Sequence, residues 1–436
     1  MRGTDKRIEL KMSVEKTRPV HMVLARMSGA TRVAIAGALA VGFALVAAWN
    51  WLPGGQNLLP LDAAYVQEAQ RLGRAVGEAT FKDFDPSKIA FLIIKKGGQN
   101  YLVNYSGKEK LPGKKLVVNG MAALHLHKPV ITIDVATVLP VRPNFLRQAA
   151  DTAIFTVPAW EMAAVAMGRT SLSGRFASEL QVHDFSAGQE GLLQAVAGPR
   201  IADESVPSDL YVTFLVHEAF HVYQWDRLRL WMQKMHENYS DGNEKDDVPL
   251  KRAYKDQQVQ ELQRQEGKWL SRALEATDRE SIVRYAREFL RVRAARRQRM
   301  EHILGPDAAY AIELECLQEW TEGLARYIEI RAWQIGSAPG YHPTGALLSD
   351  PAFHGYRAGQ SRTGIRWGAE ELIDEVGQGS AGSEAWYTLG SGQALVLDRL
   401  NVPWHSEAMG PVPLEDLLTK WVGATSLLWV TAVSNK

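Results

Sequence analysis

Hydrophobic and polar positions change rhythm several times along the chain. Val33 to Leu52 is an unbroken uncharged run. From Leu61 to about Phe81, the spacing of Ala64, Val66, Ala69, Leu72 and Val76 predicts a helix, read as a connector within residues 53–85. Short β-branched runs then follow at Ile89 to Val103, Lys115 to Val118, Val130 to Val138 and Ile154 to Val157, broken by Gly, Pro and Asn. They predict a small, largely antiparallel β region over 86–160. Ala159 to Met167 reads as a helix and Gly174 to Phe185 as a strand.

Helical texture then dominates. One helix is expected from Leu210 to about Met235, stopping at the turn-like Asn238 to Asn243. Three long ones follow near Leu250 to Ala276, Asp278 to Leu304 and Asp307 to Ile335. Trp421 to Val433 is apolar but too short to span a bilayer, so it reads as a core helix or strand. The fold class expected is α+β: a mostly helical domain over 161–436, a small N-terminal antiparallel β region, and one N-terminal transmembrane helix.

Composition narrows the setting. With 46% hydrophobic and 23% charged residues over 436 positions, the chain can bury a sizeable core and is not a disordered polymer. Residues 1–32 carry eight Lys or Arg against three acids, directly before the uncharged run. Twenty residues span a hydrocarbon core of about 30 Å, and the positive-inside rule keeps the N-terminus cytoplasmic and exports everything after Pro53. A signal peptide cleaved after Val46-Ala47-Ala48 is the alternative, which would give a secreted protein. Both place the later residues outside the cytoplasm, periplasmic or extracellular. The formal charge of +1 gives no case for a nucleic-acid partner. Charge is dense and mixed along the three long helices, and the arginines that stand out in the second, Arg284, Arg287, Arg291, Arg293, Arg296, Arg297 and Arg299, read as a solvated helix face with interleaved Glu and Asp. Cys316 is the one cysteine, so no intramolecular disulfide forms.

The candidate chemistry lies in the first long helix, at His217-Glu218-Ala219-Phe220-His221. Residues four apart on a helix share a face, so both imidazoles can reach one ion, and Glu218 stands beside them as a general base. Zn2+ suits such a site: catalytic zinc takes three protein ligands and keeps a position open. A pair of hydrogen-bonded core histidines is the competing reading, though two imidazoles and a carboxylate are costly to bury without a partner. His125 and His127, two apart on an expected strand, read as a solvated face, and His183 as a surface residue.

A third ligand is needed. The metzincin pattern requires Gly and His where this chain has Gln224 and Arg227, which excludes that class. The stretch Glu319-Trp320-Thr321-Glu322-Gly323-Leu324-Ala325 resembles the Asn-Glu-Gly-Phe-Ala segment of the thermolysin-like and aminopeptidase-type gluzincins. That resemblance implies a zincin-like catalytic domain over 161–436, with His217, His221 and Glu322 as zinc ligands and Glu218 as base. It makes the helices of about 240–305 an insertion, because the spacing between His221 and Glu322 far exceeds that of the best-known members. Gly323 beside the ligand is expected to let two helices approach closely. Glu319, one turn earlier, is the alternative ligand or an acceptor holding a histidine ring; with Glu315 the three acids otherwise read as a surface stripe. Gluzincins also use a Tyr or His to stabilise the oxyanion, and Tyr387 is the residue expected there, with His342, His354 and His405 as competitors.

The function expected is an exported, membrane-anchored zinc metallopeptidase acting on a peptide or protein substrate. Two other readings remain open: a non-catalytic membrane-tethered scaffold on a zincin-like domain, and a zinc hydrolase of a non-peptide amide.

Overall fold

The computed structural model describes residues 60–95, 99–104, 113–126, 152–157, 207–239, 248–358, 383–410 and 412–433. The N-terminal apolar run, Val130 to Val138, Ala159 to Met167, Gly174 to Phe185, His127 and His183 lie outside them. The described residues belong to one compact unit, Gly55–Lys436, mostly helical with a small antiparallel sheet, as the patterning predicts. No helix among them is long and apolar enough to cross a membrane.

Strands β1 (Ala90–Lys95), β2 (Gln99–Val103), β3 (Gly113–Val118), β4 (Met121–Leu126) and β5 (Thr152–Val157) lie in the order β3-β4-β2-β1-β5. Every pairing is antiparallel, with Ile93 opposite Tyr101 on one side and Ile154 on the other. Period-two alternation buries Phe91, Ile93, Tyr101, Val103 and Ala123. Asn119 and Gly120 turn β3 into β4 with φ of 50° and 77°, the pair of positive angles a two-residue hairpin turn requires.

The buried strand residues share a core with α1 (Pro60–Ala79) and α2 (Ser208–Tyr239). Helix α1, expected as a connector, is a core element: Ala63, Val66, Ala69, Leu72 and Val76 are fully buried. It packs on α2, and a Cβ at Gly73 would lie 2.4 Å from Pro86 and 3.4 Å from Val216. Along α2, Val212, Leu215, Val216, Ala219 and Phe220 form the apolar stripe that faces this core. The start of α2 is fastened by Ser208, whose hydroxyl donates to Asp350, as does that of Tyr65. Its far end is held by Glu313, which accepts from Trp231 at 3.1 Å and Tyr239 at 2.8 Å.

Beyond α2 come α3 (Val248–Ala253), α4 (Gln257–Glu275) and α5 (Arg279–Leu304). The stretch expected as one helix from Leu250 to Ala276 is two, because Asp256 caps α4 by accepting from the amides of Gln258 and Val259. Asp278 caps α5 at its start, and Gly305, at φ 57°, ends it. The helix expected over Asp307 to Ile335 is also broken: α6 (Ala308–Gln318) passes through a π-helical turn, Glu319–Gly323, into α7 (Leu324–Gly336). The short α8 (Gly345–Leu348), then α9 (Ser383–Arg399), α10 (His405–Ala408) and α11 (Leu414–Val433) complete the chain.

The solvated-face reading of the α5 arginines holds for Arg284, Arg287 and Arg291, which are exposed, and fails for Arg293 and Arg296. Arg293 and Arg296 are buried, where Glu266 of α4, Glu315 and Glu319 meet them. Arg297 pairs with Glu415 of α11. Guanidinium groups are tolerated inside because nearly every N–H finds a carboxylate. The surface-stripe reading of Glu315, Glu319 and Glu322 fails for the same reason: Glu315 and Glu319 point into the helix cluster.

Candidate metal centre

Helix α2 brings His217 and His221 to one face, as the spacing requires. Their Nε2 atoms stand 3.1 Å apart. The Glu322 carboxylate, supplied by the π turn, has Oε2 at 3.3 Å from His221 Nε2 and 3.8 Å from His217 Nε2. A tetrahedral ion bound at about 2.0–2.1 Å separates its donors by roughly 3.3 Å, so the three atoms are spaced as one small ion would need. Glu218 adds a carboxylate within the same cluster: ligand atoms of His217, Glu218 and His221 all lie within 4.8 Å of one another. Two imidazole nitrogens and a carboxylate oxygen form a donor set suited to zinc or a similar transition metal.

Each histidine is held from behind. Gln224 donates its amide to the Trp320 carbonyl at 2.8 Å, so its oxygen must face His221 Nδ1, 3.2 Å away. That nitrogen therefore carries the proton, and the Nε2 lone pair of His221 is left for the cluster. His217 Nδ1 lies 3.5 Å from the Glu329 carboxylate, which Arg326 grips at 2.9 Å. Phe214 stacks on one side of the His217 ring, with centroids 5.8 Å apart, and Tyr387 stacks on it at 6.1 Å.

No known protein family, curated protein or solved structure matches this chain.

The ionisable groups of the cluster shift one another. Burial would raise the Glu322 carboxyl, yet His221 and His217 hold it well below the usual carboxylate range. Burial would lower His217, but the Glu322 and Glu329 carboxylates, 3.8 and 3.5 Å away, with Glu218 nearby, push it up to about 9. Glu218 moves the other way: burial raises its carboxyl, and the charges of Glu322 and Glu329 add to that rise against the pull of the histidines. The Tyr387 hydroxyl is driven far up, first by burial and then by the neighbouring Glu322 carboxylate. It stays a donor at any physiological pH. Three carboxylates, Glu218, Glu322 and Glu329, thus stand around the two imidazoles, with the Arg326 guanidinium on Glu329.

His217, Glu218, His221, Glu322 and Tyr387 are therefore gathered at one place. Glu319 is not: its carboxylate takes two bonds from Arg293, at 2.6 and 2.7 Å, and faces away from the histidines. In a regular helix, residues three apart share a face. The wider π turn separates them, so Glu319 meets α5 while Glu322 meets α2. His342 and His354 are exposed, His405 is bonded to Tyr327 at 3.0 Å, and His125 stacks on Tyr101 at 4.7 Å. Gln224 and Glu329 were not read from the sequence. Their positions held a signal: three residues after His221 and seven after Glu322 lie on the faces that carry those ligands.

Proposed function

We propose that this protein is a zinc-dependent metallopeptidase of gluzincin type, anchored in or exported across a membrane by residues 33–52. The observation that carries the reading is the convergence of His217 Nε2, His221 Nε2 and Glu322 Oε2, with edges of 3.1, 3.3 and 3.8 Å. His217, His221 and Glu322 would hold the ion. Zinc bound there supplies Lewis acidity, polarising a scissile carbonyl and easing the ionisation of water.

The residues of the chain do the rest. Glu218 accepts the proton of the attacking water and passes it to the leaving nitrogen; its upward-shifted carboxyl suits a group that must both take and return a proton. Tyr387, fixed as a donor, offers its hydroxyl to the oxyanion that develops on the carbonyl oxygen. Gln224 keeps the His221 imidazole in the tautomer and orientation a metal ligand needs, and the Glu329 carboxylate stands 3.5 Å behind His217 Nδ1.

The test is the metal content of the full-length protein, purified without added metal, together with peptide hydrolysis. Near one zinc per chain, lost in Glu322→Ala, is the expected result. Glu218→Gln should keep the zinc and lose hydrolysis by about 10²–10⁴-fold, the usual weight of a general base. A zinc-free wild type turns the reading to a membrane-tethered scaffold. Zinc retained with activity only on non-peptide amides would keep the centre and change the substrate.

A further inference from the structure

The π turn is gripped at both ends by one face of α9. Tyr387, Gly390 and Gln393 follow at intervals of three along that helix. The Tyr387 ring stacks on His217 with centroids 6.1 Å apart, the Gly390 backbone lies against Gly323 and the Glu319 carbonyl, and Gln393 donates to the Glu319 carboxylate at 2.8 Å. From the opposite side Arg293 forks onto that same carboxylate, and is itself held by Glu266 at 3.1 Å and Glu415 at 3.2 Å. Glu319 and Arg293 are each only 2% exposed. A buried, bidentate ion pair fixes direction as well as distance.

Both halves of the candidate metal centre hang from the turn so fixed. Glu322 belongs to it, and the Trp320 carbonyl, also part of it, anchors Gln224 and through Gln224 the ring of His221. If the π turn relaxed to regular helix, Glu322 would rotate toward the face that Glu319 now occupies, and the Trp320 carbonyl would move with it.

We propose that Arg293, Glu319 and Gln393 are positioning residues for the metal centre: they lock the π turn in the register that points Glu322 and, through Gln224, His221 at one ion. This rests on the metal-centre reading above.

The test compares full-length wild type, Glu319→Gln, Gln393→Leu and Glu315→Gln. Zinc affinity is measured by competition with a chromophoric chelator, the visible absorption of the Co2+-loaded protein reports ligand geometry, and Tm reports the fold. Glu315 belongs to the same buried network, but its side chain bonds to Arg296 and not to the turn, so it controls for general loosening. Glu319→Gln is expected to weaken zinc binding by about tenfold or more and to alter the cobalt bands, the scale seen when groups behind metal ligands are removed. Glu315→Gln should lower Tm and leave both metal readouts as in wild type. A folded Glu319→Gln protein with wild-type zinc affinity and cobalt spectrum overturns the proposal, as does an equal loss in Glu315→Gln. If Glu319→Gln does not fold, Gln393→Leu decides: a severalfold loss of affinity supports the clamp, and no loss overturns it. A wild type that binds no zinc overturns the metal-centre reading and the clamp together, an outcome distinct from failure of the clamp alone.

Discussion

Gly323 and Gly390 stand backbone to backbone. A Cβ built on Gly323 would lie 2.4 Å from the Gly390 Cα, and one built on Gly390 would lie 2.4 Å from the Glu319 carbonyl oxygen. The close approach expected at Gly323 is thus between the π turn and α9. It places Tyr387, one turn before Gly390, near Glu322, the neighbour of Gly323.

Gly390→Ala is therefore expected to destabilise the protein by about 1–3 kcal/mol, the usual cost of forcing an atom into a filled interior, despite alanine's better helix propensity. Gly423, in α11, has open space around its virtual Cβ. There the same substitution should gain about 0.5–1 kcal/mol, since only propensity acts. Urea midpoints of the two variants check the contrast, and equal shifts would mean that the helices are not in contact.

Gln224→Leu tests the bridge between Trp320 and His221. Leucine fills similar space but can neither satisfy the Trp320 carbonyl nor orient the imidazole. An unsatisfied buried carbonyl costs about 1–3 kcal/mol, and zinc affinity should fall about 10–100-fold. Isothermal titration with zinc, beside thermal unfolding of the metal-free protein, separates the two losses; unchanged affinity would remove Gln224 from behind the site.

Much of this site could be read from the sequence, and the unread part has a physical cause. His217, Glu218 and His221 are legible because helical period alone puts residues four apart on one face. Glu322 needed a resemblance, because its partners lie about a hundred residues away and no local period links them. The choice between Glu319 and Glu322 could not be made from spacing, since a π turn leaves no hydrophobic signature; it is fixed by what lies on either side, Arg293 and the histidines. The burial of Arg293 and Arg296 was missed for a related reason. Charge along a single helix looks solvated until the carboxylates of Glu266, Glu315 and Glu319 arrive from other helices.

That buried network predicts an acid sensitivity. Burial would raise the Glu315 carboxyl, but Arg296, which donates to it at 2.6 and 2.7 Å, and Arg297 hold it well below the ordinary range. A carboxyl depressed on folding gives stability that is present above its unfolded pKa of about 4.3 and lost as pH falls below that value. Urea midpoints followed downward from pH 6 should therefore decline through the carboxylate range in wild type. Glu315→Gln should start lower and decline less steeply, because that proton is no longer taken up on unfolding of the charged form. Parallel profiles would show that Glu315 does not contribute.

Tyr387 has two jobs open to it, and one substitution tells them apart. In the structure its ring stacks on His217 and its hydroxyl lies near the Glu322 carboxylate, so Tyr387→Phe keeps the stacking and removes only the hydroxyl. If the hydroxyl serves mainly to hold the ligand, zinc affinity should fall by about tenfold, and hydrolysis measured at saturating zinc should return nearly to the wild-type rate. If it serves the oxyanion, zinc affinity should change little and kcat should fall about 10²–10³-fold, with KM nearly constant, because the lost bond forms only as charge develops on the carbonyl oxygen. The second outcome is the one we expect, since a ligand already charged and already facing two imidazoles gains little from one more donor. A wild-type kcat in Tyr387→Phe would leave His405 as the next residue to substitute.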